Sequence, residues 1–176
     1  MSSTFVYPIS PAPRTAVLVP WFRAVRAVRA TRAARMLAGP VRVFPEGWNP
    51  EAAAFAPAAV AGTFEQIRAL AQIQIPSLTH ALIVLARPGG RRLAEIDRER
   101  LWQDFRLPVF EQIIGASGDL LAAECEAHDG LHVESSDLPL GRETIDISPC
   151  PCGRKTPRIG VARGAELERR IAAYAR

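Results

Sequence analysis

A single small α/β domain, a mixed sheet with flanking helices, is the expectation for this 176-residue chain. Three features carry it. Short apolar runs, ALIVLA at 81–86 above all, have the pattern of strands buried on both faces. Stretches with helical spacing of apolar residues alternate with them. The length suits one domain with a real core and is short for two. Hydrophobic residues make up 48% and charged residues 23%, and no run approaches the ~18 apolar residues of a membrane span.

The elements follow in order. Residues 1–20 hold Pro8, Pro11, Pro13 and Pro20 and read as extended or irregular. From Trp21 to Leu37, alanine and arginine favour a helix that Gly39-Pro40 stops. VRVF at 41–44 is a short strand. The Pro- and Ala-rich stretch from Pro45 to Gly62 is a connector with room for a helical turn. Thr63 and Gln66 have capping-box spacing, so a helix runs from there to about Ile73. ALIVLA is the buried strand, broken by Pro88-Gly89-Gly90. Leu93, Ile96, Leu101, Trp102 and Phe105 form the apolar stripe of a helix over 93–105. VFEQII at 109–114 completes a strand–helix–strand unit with a parallel pair. LLAAEC and LHVES pair as a hairpin around Asp129-Gly130. ETIDIS at 143–148 is one more strand, and GAELERRIAAYA a closing helix. No internal repeat is visible.

Charge divides the chain. Residues 1–45 carry seven arginines and no acid, and the other 15 basic residues face all 18 acids, a balance of −3. The expected organisation is a basic N-terminal arm over 1–45 and an α/β domain over 46–176. Within the arm, Arg23, Arg26, Arg29, Arg32 and Arg35 recur every third residue. At about 100° per residue they wind around the helix instead of forming one face. Such a helix suits an acidic protein partner, a nucleic-acid backbone or plain solvation better than a flat membrane surface.

TAVLVPWF is the longest apolar run near the start, but arginines follow it and no small-residue cleavage site is clear. The expectation is no signal peptide and a cytoplasmic protein with reduced thiols. All three cysteines fall between residues 125 and 152, with two of the three histidines. Clustered cysteines in a reducing compartment favour metal over disulfide. Cys125, His132, Cys150 and Cys152 supply three sulfurs and one nitrogen, a set suited to a structural zinc. Cys125 ends one hairpin strand, His132 starts the return strand, and Cys150-Pro151-Cys152 adds a tight turn that Gly153 lets bend. His128 competes as a ligand. The bland alternative is three small core residues. With four protein ligands no position stays open for water, so the metal serves folding more than chemistry.

Two further stretches invite a catalytic reading and do not sustain it. Glu124 and Glu126 sit beside the cysteine but alternate to the face opposite Cys125. Ser117 lacks a G-x-S-x-G context and a base. His80, just before a buried run, reads as a residue at the start of a strand.

GGRRLAEIDRERLWQDFRLPVFEQIIGASG, AECEAHDGLHVE and CPCGRKTPRI together resemble the phenylacetate–coenzyme A ligase family of adenylate-forming enzymes, over about residues 80–160. That family carries GG-x-x-L, a helix, F-x-V-P-V, a strand, G-x-S-E, then E-C-x-x-x-x-G-L-H and C-x-C-G-R-x-x-P-R-I. Some members hold zinc at the matching positions, which implies Cys125, His132, Cys150 and Cys152 and argues against His128. The departures are as informative. No Ser/Thr/Gly-rich phosphate loop occurs in the chain, and Y-R-x-G-D and the C-terminal domain with its lysine are absent. Ile114-Gly-Ala-Ser-Gly118 lacks the family's tyrosine and its magnesium-binding glutamate. Only 17 residues separate Leu131-His132 from Cys150, against a long stretch in the family. Without a phosphate cradle or magnesium ligand, nothing stabilises phosphoryl-site charge. The expected function is a non-catalytic, zinc-binding structural or accessory subunit docking to a protein partner, with no small-molecule substrate. The alternatives are an accessory subunit of a split adenylate-forming acyl-CoA ligase, and nucleic-acid binding through the arm.

Overall fold

The computed structural model describes residues 13–19, 41–139 and 145–160. The Arg-rich helix and the closing helix expected from sequence fall outside them. Among the described residues nine strands join in one mixed sheet: β1 (Thr15–Val17), β2 (Val41–Val43), β3 (Ala59–Gly62), β4 (Ala81–Ala86), β5 (Val109–Ile114), β6 (Leu120–Glu124), β7 (Leu131–Val133), β8 (Ile145–Asp146) and β9 (Arg158–Ile159). Their order is β2-β1-β3-β4-β5-β6-β7-β9-β8. The first five strands pair in parallel and the others antiparallel. Among the described residues no helix is long and apolar enough to cross a membrane.

Three helices punctuate the parallel half. The first, α1 (Pro50–Ala54), starts with Pro at its first turn, where no amide donor is needed, and the Asn49 side chain accepts from Ala52 N–H at 2.9 Å. The second, α2 (Phe64–Ala69), has the expected capping box: Thr63 Oγ1 accepts from Gln66 N–H, and Gln66 Oε1 accepts from Thr63 N–H. It ends earlier than the spacing predicts, passing into a 3₁₀ turn at Leu70–Gln72. The third, α3 (Glu95–Phe105), crosses between parallel β4 and β5 as expected. It stops at Arg106, in the left-handed region at φ +56°, with the guanidinium 4.4 Å over the Trp102 ring.

Period-two alternation divides the core. Leu18, Val60, Leu82, Val84 and Val109 pack with Ile67, Leu70 and Leu101 of the helical layer. Val17, Ala61, Ile83, Leu85, Phe110 and Ile114 form a second apolar layer. A third cluster, of Ile113, Leu121, Ala122, Leu131, Leu138 and Ile159, underlies the antiparallel end.

Two strands differ from the sequence reading. Thr15–Val17 is the second strand from one edge, within the segment expected to be irregular, and with β2 it places part of residues 1–45 in the sheet. Ala59–Gly62, expected as connector, is a fully buried strand between β1 and β3's other neighbour, β4. Gly62 explains its weak signal. A β-carbon there would meet Gln66 Oε1 at 3.2 Å and Leu18 Cβ at 3.4 Å, so close approach of the α2 cap excludes the branched residues that announce strands.

Candidate metal centre

The site assembles where the antiparallel strands end. Sheet pairing sets Ala123 opposite His132 and Glu124 opposite Leu131, so Cys125 leaves β6 beside the start of β7. The connecting turn closes with His128 N–H donating to Cys125 O at 3.0 Å, and positive φ at His128 and Gly130 reverses the chain. The second ligand pair arrives from the other side. Gly153 N–H donates to Cys150 O at 2.9 Å, and Gly153 takes φ +83°. This tight turn aims both Cys150 and Cys152 inward, and β9 follows it into the sheet beside β7.

The ligating atoms of Cys125, His132, Cys150 and Cys152 all lie within 4.8 Å of one another. The Cys125 and Cys150 sulfurs are 3.7 Å apart, and Cys152 Sγ is 3.4 Å from His132 Nε2. A tetrahedral zinc with ordinary bond lengths implies edges of about 3.8 Å between sulfurs and about 3.6 Å between sulfur and nitrogen. These two separations match that size and the whole set stays within 4.8 Å, so the donors suit an ion in chemistry and approach it in dimension. Cys125, Cys150 and His132 are buried, and Cys152 is half-buried.

The proton affinities of Cys125, Cys152 and His132 are shifted in different directions. Burial, reinforced by the neighbouring thiols, pushes the Cys125 thiol up to about 12. Burial also works against a Cys152 thiolate, but hydrogen bonds from the Arg154 amide and from the Cys150 and Cys125 thiols outweigh it and lower that pKa. His132 is held below its ordinary value, first by burial and then by the Arg154 charge. A neutral imidazole is the form that ligates metal.

Beneath the ligands lies Arg158, 1% exposed. One of its terminal nitrogens donates to the Asp129 carboxylate and to Asp129 O at 2.9 Å; the other donates to Ser148 Oγ at 3.0 Å. It therefore ties the hairpin turn to the segment that leads into Cys150. Burial opposes its charge, but the Asp129 carboxylate outweighs that and raises its pKa.

The structure brings all four expected ligands together and leaves His128 out. The His128 ring stacks on Phe110 at 4.8 Å and its Nδ1 lies 3.0 Å from Glu124 Oε1. Glu124 also takes both hydrogen bonds from one Arg98 nitrogen and one from the Glu111 amide, which makes it a structural acceptor. Ser117 bonds to Asp119 in an exposed turn, and His80 opens β4 with its amide on Ala58 O. Arg23, Arg26, Arg29, Arg32 and Arg35 lie outside the described residues. Thr156 falls on an unspecified position of the C-x-C-G-R-x-x-P-R-I pattern and gave no sequence signal; Arg158 is that pattern's second arginine, but its buried bonding role was not readable from it. Their contacts reach from the 156–158 segment to His132, Asp129 and Ser148, residues elsewhere in the chain.

A mixed α/β sheet closed by a Cys3His cluster able to hold a metal ion is the class that fold and site define. No protein-family model and no curated protein matches the chain. Among solved structures it is similar to 2-hydroxyisobutyryl-CoA ligase in an open conformation with 2-HIB-AMP and CoA, at TM-score 0.56 and 18% identity. The match covers 86% of this chain and 44% of that one. The postadenylation state of that ligase gives TM-score 0.53 and 16% identity over 86% of this chain and 43% of that one. The chain thus spans less than half the length of the structures it matches. At these identities the likeness is one of fold alone, shared with part of that ligase.

Proposed function

We propose that this is a non-catalytic, zinc-binding protein whose metal is structural and which acts as a docked or accessory subunit beside a protein partner. The observation that carries the reading is the closed ligand set. Three thiol sulfurs and one imidazole nitrogen, three of the four residues buried, surround one point. Thiolate-rich tetrahedral donors select zinc, and four protein ligands leave no position for a reacting water. A second observation bears on chemistry. At 118, where the resemblance expects a magnesium-binding glutamate, stands Gly118 at φ +87°, its N–H on Gly115 O at 3.0 Å in the turn into β6. A side chain there is strained, so this turn is shaped for the hairpin and not for a metal-nucleotide ligand.

The test is direct. Purified protein is expected to carry about one zinc per chain, to lose much of its thermal stability with a strong chelator, and to catalyse no ATP–pyrophosphate exchange. Metal-free protein with an unchanged melt refutes the zinc reading, and measurable exchange refutes the non-catalytic one. The ligase-like fold favours one particular partner, the phosphate-loop-bearing chain of a split acyl-activating enzyme. Affinity capture that recovers no adenylating protein counts against that version.

A further inference from the structure

We infer that Thr156 is the positioning residue of the metal centre: it fixes the tautomer and the ring orientation of His132, so that Nε2 alone is offered to the ion. The inference rests on the metal reading above and goes beyond it, because Thr156 is not a ligand. The His132 ring is fully buried. Its Nδ1 lies 2.8 Å from Thr156 Oγ1 and 3.3 Å from Thr156 O. The hydroxyl can serve either tautomer, but the carbonyl oxygen only accepts, so the pair of contacts favours a proton on Nδ1 that points at Thr156. Nε2 then keeps its lone pair, and Nε2 is the nitrogen that lies 3.4 Å from Cys152 Sγ.

Without that contact the neutral ring has two poorer choices. It can carry its proton on Nε2, which blocks the ligating lone pair, or flip and turn carbon toward the sulfurs. Partners of this kind on metal-bound histidine alter affinity about 10- to 100-fold. The fold sets Thr156 in place without help from the ion. His132 pairs with Arg158 across β7 and β9, and Val133 N–H donates to Pro157 O at 2.8 Å. Thr156 stands one residue before that bond and four after Cys152. A single segment therefore carries two ligands and the group that aligns a third.

The experiment compares the full chain with Thr156→Val and Thr156→Ser. Zinc and cobalt(II) affinities are measured by competition with a chromophoric chelator, and circular dichroism checks folding. Because the Thr156 carbonyl remains in the valine variant, we expect the low end, about tenfold weaker binding. Cobalt spectra should keep their thiolate bands, and serine should restore affinity. A valine variant that binds as tightly as the wild type overturns the inference while leaving the zinc reading intact. A wild-type chain that takes up no metal overturns both. A measurement free of variants closes the test. Long-range ¹H–¹⁵N spectra of the zinc-loaded wild type should show His132 protonated on Nδ1 and ligating through Nε2; the reverse pattern refutes it.

Discussion

Replacing Arg158 by methionine removes a charged group from beneath the metal centre while keeping most of the buried stem. The loss has two parts. The guanidinium donates to Asp129 O at 2.9 Å and to Ser148 Oγ at 3.0 Å, and it pairs with the Asp129 carboxylate. Hydrogen bonds to a charged group contribute about 1.5–3 kcal/mol each. Two effects reduce the sum. The Asp129 and Asp146 side chains are 37% and 31% exposed, so both resolvate when their partner leaves. The Arg158 Nε is buried with no hydrogen-bond partner among the described residues, and losing it relieves a desolvation penalty. We therefore expect Arg158→Met to cost about 2 kcal/mol, below the ~3–5 kcal/mol of a fully buried broken pair. Urea unfolding of zinc-loaded and chelator-treated protein measures it. For a chain of this length the corresponding fall in Tm is about 4–8 °C. Asp129→Asn, which keeps a carbonyl acceptor, should cost roughly half as much. A change under about 0.5 kcal/mol in both forms, within the usual range of surface substitutions, refutes the claim that Arg158 ties the hairpin to the cysteine turn.

Four other outcomes follow. His128→Ala should leave metal stoichiometry unchanged, since its ring lies on Phe110 and Glu124; loss of the ion by elemental analysis contradicts the ligand set. Gly153→Ala should weaken zinc binding and stability by about 1 kcal/mol, because φ +83° strains any side chain even with open space around it; chelator competition and melts report it. Zinc uptake near neutral pH should release about two to three protons, because thiols must deprotonate to ligate, Cys152 is the one already shifted toward thiolate, and His132 is already neutral; calorimetry in buffers of different ionisation enthalpy counts them. The same balance makes affinity fall on acidification, and release of less than one proton excludes thiolate ligation. Hydrogen exchange after zinc removal should rise in β7, β8 and β9 and stay slow in β3, β4 and β5; uniform change refutes a local staple.

Much of this was legible because certain residues admit few explanations. ALIVLA is apolar on both faces and became β4, an interior strand between β3 and β5. Thr63 and Gln66 carry a local, reciprocal bond, so three residues of spacing sufficed. Cysteine and histidine are scarce in the chain, and their clustering pointed to the site before any strand was paired. Other features needed the third dimension. Ala59–Gly62 has little strand propensity and is a strand because β1 and β4 flank it and the α2 cap presses against it. Thr15–Val17 is three residues in a proline-rich setting, rescued by parallel pairing on both sides. Thr156 is an ordinary letter, and Arg158, though part of the P-R-I match, carries no sign of what it binds. Their roles come from β9 lying between β7 and β8, an order that local spacing does not encode.

The position of the Cys3His cluster defines what a bound ion would do for the fold. At the parallel end, β4 and β5 are six residues each, buried throughout, and packed against α3. At the other end β7 has three residues and β8 and β9 two each. So few ladder bonds contribute little against the backbone entropy of ordering those segments, about 1–2 kcal/mol per residue. The apolar cluster beneath them is small. The four ligands come from three places that this weak end must hold together: the exit of β6, the start of β7 and the turn before β9. An ion bound there closes the long connection between Cys125 and Cys150, where the entropic gain from a cross-link is large. Arg158 alone joins the same segments through solvent-accessible carboxylates and cannot supply as much. An ion held by the Cys3His cluster would thus add its cross-link at the end of the sheet where the strands are shortest.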